Sequence, residues 1–440
     1  MSFPCSKPSK TEPAMPTTSS RPPIASPVPP LSDLDRIRAF MRGQGVDLLL
    51  GKEDSALYYL SGHHSDSTLC HFYDDWACAL VPAGADAPPA LLIQEYDLAY
   101  QATRPTWLPE LRVYGSPWSS AGTLLQDIEA GHGIETELRQ PIRDLLARTA
   151  DHRTDELTDA IRAYVEEHFG NRTITLACDD LRFHQTLRQA LGERVRLVDA
   201  RPLLRRIRAV KTPAELQLLT RTAQINAAAL RSAARSVRAE APWEDMVQAY
   251  RRTLAEHAAK PRGERGMLFN SGPDGSFVLD HDYVERKRFA PGDTVVMDAI
   301  CEYRLYLGDM ARTAVIGEAS PSQKHLFKAV RTALEEGELA MKAGARTGAI
   351  ADIAADAIRR HGLRPELTTL TLHPIGLDIF DYAEPGHIRD GWTLENDSVV
   401  NFEVFYRDSE YGGVHLEDSV LIGAAGARAL VPEPRDLMEL

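Results

Sequence analysis

The stretch Val295–Gly317, VVMDAICEYRLYLGDMARTAVIG, is apolar or β-branched over most of its length and reads as a pair of strands, yet it contains Asp298 and Asp309. Burying carboxylates in a sheet costs on the order of several kcal/mol per ion unless a positive group neutralises them. Arg304 and Arg312 stand in the same stretch, so a structural ion pair is one reading of the two acids.

A second segment repeats the design. In SVVNFEVFYRDSEYGGVHLEDSVLIG (Ser398–Gly423) one apolar strand holds Glu403 and the next holds Glu417, joined by a turn containing Gly412 and Gly413. Between the two segments lies TLHPIGLD, with His373 just ahead of an Ile-Gly-Leu run. Four carboxylates and one imidazole form a hard, oxygen-rich donor set suited to manganese, iron, cobalt or zinc. The set is too acidic for one ion and suits two, bridged by shared carboxylates. Without cations these acids repel one another.

Around these strands the helix signals are strong. Thr212, Pro213 and Glu215 supply a cap, a first-turn proline and a capping-box acid ahead of a long amphipathic run. Ser320, Pro321 and Gln323 repeat the pattern ahead of a helix running to about Met341. The C-terminal part, residues 208–440, is therefore expected to be α+β, with helices packed on an antiparallel sheet. Residues 31–207 alternate helix-like runs with short apolar strands (VDLLLG, PALLIQ, TITLACDD) and read as an α/β domain that opens on a helix capped by Ser32. Residues 1–30 contain nine prolines and six serines, which predicts a disordered tail.

At 440 residues the chain exceeds what one core supports, so two domains are expected. A net charge of -13 with no block of like charges argues against nucleic acid or anionic membrane as partner. Five scattered cysteines without a CxxC pair point to a reducing compartment, and no apolar run is long enough to span a bilayer. The expected location is cytoplasmic.

Taken together, these residues resemble those of the pita-bread metallohydrolases, which include methionine aminopeptidase, aminopeptidase P, prolidase and creatinase. The resemblance extends over about residues 32–432, because the prolidase-like branch also has an N-terminal α/β domain. It implies an α/β N-terminal creatinase-like domain followed by an α+β pita-bread catalytic domain. It also implies a homodimer and a small peptide or amide substrate. Asp298 and Asp309 look like the family's two aspartate ligands, and LHPIGL looks like its GHGIGL with His373 as ligand. Glu403 and Glu417 complete the five, and they imply two divalent ions, manganese first, with iron, cobalt or zinc admitted by the same donors. Asp309 and Glu417 would bridge, and Glu403 would carry the proton. His281 stands 17 residues before Asp298, at the spacing of a family histidine that steadies the tetrahedral intermediate.

Departures from the pattern bear on the substrate. Phe380 stands where the peptidases carry a second histidine, with Asp381 and Tyr382 beside it, and a phenyl ring donates no hydrogen bond. His415 replaces the arginine of GxRxED, and Pro374 replaces the glycine after the ligand, so Phe380, Asp381 and His415 are expected to contact substrate. In the N-terminal part, SGHHSDSTLCHFYDDW offers His63, His64, Asp66 and His71 as substrate contacts. The first reading is an Xaa-Pro dipeptidase or aminopeptidase. A second is a creatinase-like hydrolase or lyase of a non-peptide small molecule. A third is an inactive pita-bread protein used for binding.

Overall fold

The computed structural model describes residues 29–65, 76–115, 121–263, 267–277, 286–381 and 391–440. The tail expected to be disordered falls almost wholly outside them, as do Asp66, His71, His281 and Tyr382. Among the described residues, no helix is long and apolar enough to cross a membrane.

The N-terminal part is built on a six-stranded mixed sheet. Its strands are β1 (Leu48–Gly51), β2 (Ala77–Pro82), β3 (Ala90–Gln94), β4 (Glu110–Tyr114), β5 (Ile174–Cys178) and β6 (Val195–Asp199), in the order β4-β3-β2-β1-β5-β6. β1 and β5 pair in parallel and β1 and β2 antiparallel. Strands buried on both faces read as continuous apolar runs, as LLLG and ALLIQ do. The first helix, Leu34–Gly43, is capped by Asp33, whose carboxylate accepts from the Arg36 backbone N–H at 3.1 Å, and not by Ser32. Ser32 is one position too early for its oxygen to reach the first free N–H groups of the helix.

The C-terminal part is a nine-stranded sheet. Its strands are β7 (Lys260–Pro261), β8 (Met267–Ser271), β9 (Thr294–Tyr303), β10 (Tyr306–Val315), β11 (Thr368–Pro374), β12 (Val399–Asp408), β13 (Gly412–Ile422), β14 (Ala427–Ala429) and β15 (Met438–Glu439). The main path runs β11-β12-β13-β10-β9-β7. The pairings are antiparallel except that β15 joins β10 in parallel. β9 and β10 are joined through Arg304 and Leu305, both at positive φ (50° and 64°), as a tight hairpin of matching twist requires.

Strand alternation assigns the two faces. Val295, Met297, Ala299 and Cys301 face one way, into a core with helices Pro213–Ser236 and Trp243–Glu256. Leu372, Phe402, Val404, Leu416 and Val420 meet helices Pro321–Leu339 and Thr347–Arg360 in the same manner. The remaining positions of these strands share the opposite face, and all five expected ligands lie there. Helix Pro213–Ser236 holds its register through a full capping box: Glu215 N donates to Thr212 Oγ1 at 3.2 Å, and Thr212 N to Glu215 Oε2 at 2.9 Å. Thr212→Ala is expected to cost about 1 kcal/mol, read as a fall in denaturation midpoint with unchanged slope.

Candidate metal centre

Pairing register brings the acids together. Thr371, Glu403, Glu417, Ala311 and Asp298 stand opposite one another in a single row across β11, β12, β13, β10 and β9. Residues opposite in register share a face, so three carboxylates line up with small Ala311 leaving room between Glu417 and Asp298. The next row holds His373, Asn401 and Ser419, with Asp309 beside Ser419 two positions from Ala311. The row on the other side holds Phe405 and His415, with Thr313 donating to the His415 carbonyl and accepting from its N–H.

Ligand-type atoms converge in two groups within 4.8 Å: Asp298, His415 and Glu417, and Asp309, His373 and Glu417. Glu417 belongs to both. His373 Nε2 lies 3.4 Å from Glu417 Oε1 and 3.8 Å from Asp309 Oδ2. Asn401 Nδ2 donates to Glu417 Oε1 at 2.9 Å, and Ser419 Oγ donates to Asn401 Oδ1 at 2.5 Å, so the shared carboxylate is held from behind. Glu403 lies in the row but outside both groups. Its Oε2 is 3.1 Å from His415 Nε2, and Thr371 also hydrogen-bonds it.

The electrostatics are those of a cation cage. Asp298, Asp309, His373, His415 and Glu417 are all buried. Among the described residues, no lysine or arginine forms an ion pair with Asp298, Asp309, Glu403 or Glu417; their ion-pair partners are the imidazoles of His373 and His415. Arg312 Nη2 instead binds Asp418 Oδ1 at 2.7 Å, and Arg304 lies over the ring of Tyr303, so the two arginines do not neutralise the aspartates. Counting the protein's own groups alone, burial pushes the Asp298 carboxyl up to about 7, with His415 opposing and Glu417 adding to the rise. Burial, then the Glu417 and Asp298 charges, hold Asp309 well above the carboxylate range. Burial disfavours a charged His415, but its Glu403 hydrogen bond and the Asp298 charge raise it to about 9. Burial, the largest single effect, would raise Glu403, but the His415 hydrogen bond and charge, the Thr371 hydrogen bond and the His373 charge together outweigh it and hold the group low.

Asp309 Oδ1 is buried with no hydrogen-bond partner. A buried carboxylate oxygen without a partner is costly, and a divalent cation is the partner that a pair of O/N donor groups sharing one carboxylate fits. The donor set is therefore compatible with two divalent ions.

The segment after His373 is clamped by the interdomain junction. Arg208 Nη2 donates to Asp381 Oδ1 at 2.8 Å and to Asp378 Oδ2 at 2.5 Å, and Lys211 Nζ reaches Asp381 Oδ2 at 3.4 Å. Gly376 is needed there, because a Cβ would stand 2.8 Å from Asp381 Oδ2. The clamp fixes the Ile379 carbonyl, which accepts from His373 Nδ1 at 2.8 Å. Asp381, expected to touch substrate, is fully buried and engaged by these cations instead.

Phe380 is 53% exposed and meets the His373 ring edge-on at 4.8 Å. His63 is buried, with Nε2 3.2 Å from Asp97 Oδ2 and Nδ1 2.9 Å from the Gln101 amide, so both ring nitrogens are engaged within the N-terminal part. His64 packs against Tyr58, and burial followed by Arg104 lowers its pKa to about 4. Sequence reading passed over Asn401, Ser419 and Thr371, and it assigned His415 to substrate. The available signal for His415 was its spacing of two from Glu417, which in a strand places both on one face.

Comparison with known proteins bears on both halves. The "Creatinase/Prolidase N-terminal domain" profile matches residues 34–210, and "Metallopeptidase family M24" matches residues 217–424. The chain is 26% identical over 238 residues to the Xaa-Pro dipeptidase of Pyrococcus furiosus, covering 54% of this chain and 67% of that protein. In structure it resembles an X-Pro aminopeptidase from Thermotoga maritima (TM-score 0.67, 19% identity, 93% of this chain and 100% of the other). It also resembles an Xaa-Pro dipeptidase from Bacillus anthracis (TM-score 0.70, 18% identity, 92% and 99%). At these identities the structural likeness is one of fold. With matching profiles over both halves and the same two-part architecture, the chain belongs to the pita-bread creatinase/prolidase family of metallopeptidases.

Proposed function

We propose that the protein is a metal-dependent hydrolase of an amide C–N bond, of the Xaa-Pro dipeptidase or aminopeptidase type. Asp298, Asp309, His373 and Glu417 would hold two divalent ions, manganese first, and Glu403 would move the proton. The observation that carries this reading is the pair of buried donor groups sharing Glu417, with Asp309 Oδ1 of one group left without a hydrogen-bond partner. When bound, the ions supply Lewis-acid polarisation of the substrate carbonyl and make water acidic enough to attack near neutral pH.

The chain's own groups do the rest. Asn401 and Ser419 orient Glu417, and the Ile379 carbonyl orients His373. Glu403, held low by His415, accepts a proton from the attacking water and delivers it to the leaving nitrogen. His281, outside the described residues, is assigned to the carbonyl oxygen, and exposed Phe380 supplies an apolar wall. A prolyl amide nitrogen carries no hydrogen and needs no acceptor from the wall, which suits a phenyl ring. His63, His64, Asp66 and His71 remain candidates for shaping the substrate end, whereas His415 is buried against Glu403 and Phe405. A homodimer and a cytoplasmic location complete the reading, the latter supported by the free, buried Cys78, Cys178 and Cys301.

Chelation followed by reconstitution tests the proposal. Stripping the protein is expected to abolish cleavage of Xaa-Pro dipeptides and lower the melting temperature. Manganese at a hundred times its Kd should return activity and about 2.7 kcal/mol of stability per site. If metal-loaded protein cleaves no Xaa-Pro compound but does cleave a guanidine or other amide, the creatinase-like reading replaces this one. Phe380 in place of a hydrogen-bonding side chain, with Asp381 withdrawn into the Arg208 clamp, is what favours that second reading.

A further inference from the structure

His415 is a buried imidazole whose surroundings aim one of its nitrogens. The ring stacks on Phe405 (4.7 Å, 20° between planes), and the Arg407 guanidinium lies 4.3 Å from the Phe405 centroid. Phe405 takes this place because residue 413 is glycine; a Cβ there would stand 2.7 Å from the ring. His415 Nε2 is 3.1 Å from Glu403 Oε2. An ionised carboxylate only accepts, so Nε2 carries the hydrogen in the neutral ring and Nδ1 presents a lone pair.

That nitrogen lies 3.8 Å from Asp298 Oδ2, too far for a hydrogen bond. Two ligands bound at about 2.1 Å to one ion stand about 3.0 Å apart at a right angle, about 3.4 Å at the tetrahedral angle and about 4.2 Å when opposite, so the spacing falls within the range of a shared cation. His373 shows the same arrangement with its nitrogens exchanged. Its Nδ1 donates to the Ile379 carbonyl at 2.8 Å, and its Nε2 faces Glu417 at 3.4 Å and Asp309 at 3.8 Å. One nitrogen fixed by an acceptor and the other turned to carboxylates is how proteins orient metal-binding histidines.

We infer that His415, through Nδ1, is itself a ligand of the ion on the Asp298 side, with Glu403 as the acceptor that orients it. Each ion then takes one imidazole: Asp298, His415 and Glu417 on one side, Asp309, His373 and Glu417 on the other, with Glu417 common to both. This inference rests on the two-ion reading above and changes its donor set. A nitrogen donor on each side raises affinity for cobalt and zinc relative to manganese.

The test is zinc titration of chelator-stripped full-length protein by calorimetry, together with nitrogen NMR of the histidine rings in the wild type. Wild type should bind two equivalents. His415→Phe, which keeps the ring stack, should retain one and bind the second at least about 100-fold more weakly. Glu403→Gln should weaken that same site by about 10–100-fold without removing it. In the wild type, two equivalents of zinc should move the His415 Nδ1 resonance to a metal-bound position while Nε2 stays protonated, a readout that stands even where a variant fails to fold. A His415 ring that keeps protons on both nitrogens in zinc-loaded protein would make it a counter-charge only and overturn the inference, as would two undiminished sites in His415→Phe. Wild type binding no zinc at all would sink the two-ion reading with it.

Discussion

Asp309→Asn is expected to lower kcat/KM on an Xaa-Pro dipeptide by at least about a thousandfold, equivalent to about 4 kcal/mol of transition-state stabilisation. The asparagine keeps size and one oxygen but removes the charge from a position where Oδ1 has no protein partner. A loss of fold would mimic this result, so the stability measurement matters. Burial and the charges of Glu417 and Asp298 act against an ionised Asp309 when only protein groups surround it. In chelator the variant should therefore melt above the wild type, and in saturating metal below it. A variant less stable under both conditions would mean that Asp309 serves the fold and not a cation.

The second large effect is expected at a distance from the cage. Asp381→Ala leaves the buried side chains of Arg208 (4% exposed) and Lys211 (0%) without their common carboxylate. Removing one partner from a buried charge group costs about 3–5 kcal/mol, so a denaturant midpoint should fall steeply. Because the clamp fixes the Ile379 carbonyl against His373, metal affinity should fall as well, by about 10–100-fold. Arg208→Met with Asp381→Leu removes charge from both sides of the main ion pair. It should recover part of the stability but not the affinity, which separates the two effects.

Much of this was readable before any coordinates. The apolar, β-branched runs around Asp298, Asp309, Glu403 and Glu417 implied strands that carry acids, and the pairing places three of those four in one row. The capping signals at Thr212 and Ser320 opened helices where expected, because a cap is local chemistry within four residues. What could not be read was long-range. No local pattern tells that Arg312 turns away to Asp418, that Asp381 lies between Arg208 and Lys211, or that Glu403 spends an oxygen on His415. Those outcomes depend on which strands become neighbours and on which charged groups are buried together. Ser32 failed as a cap for a smaller reason: Asp33, one residue on, offered a carboxylate at the right place.

The most direct measurement is anomalous diffraction from crystals of manganese-loaded protein. Two anomalous peaks about 3.5–4 Å apart, flanking Glu417 and within bonding distance of Asp298, Asp309 and His373, are the predicted result. No peak among these side chains in fully loaded crystals, or one bound elsewhere, would contradict it.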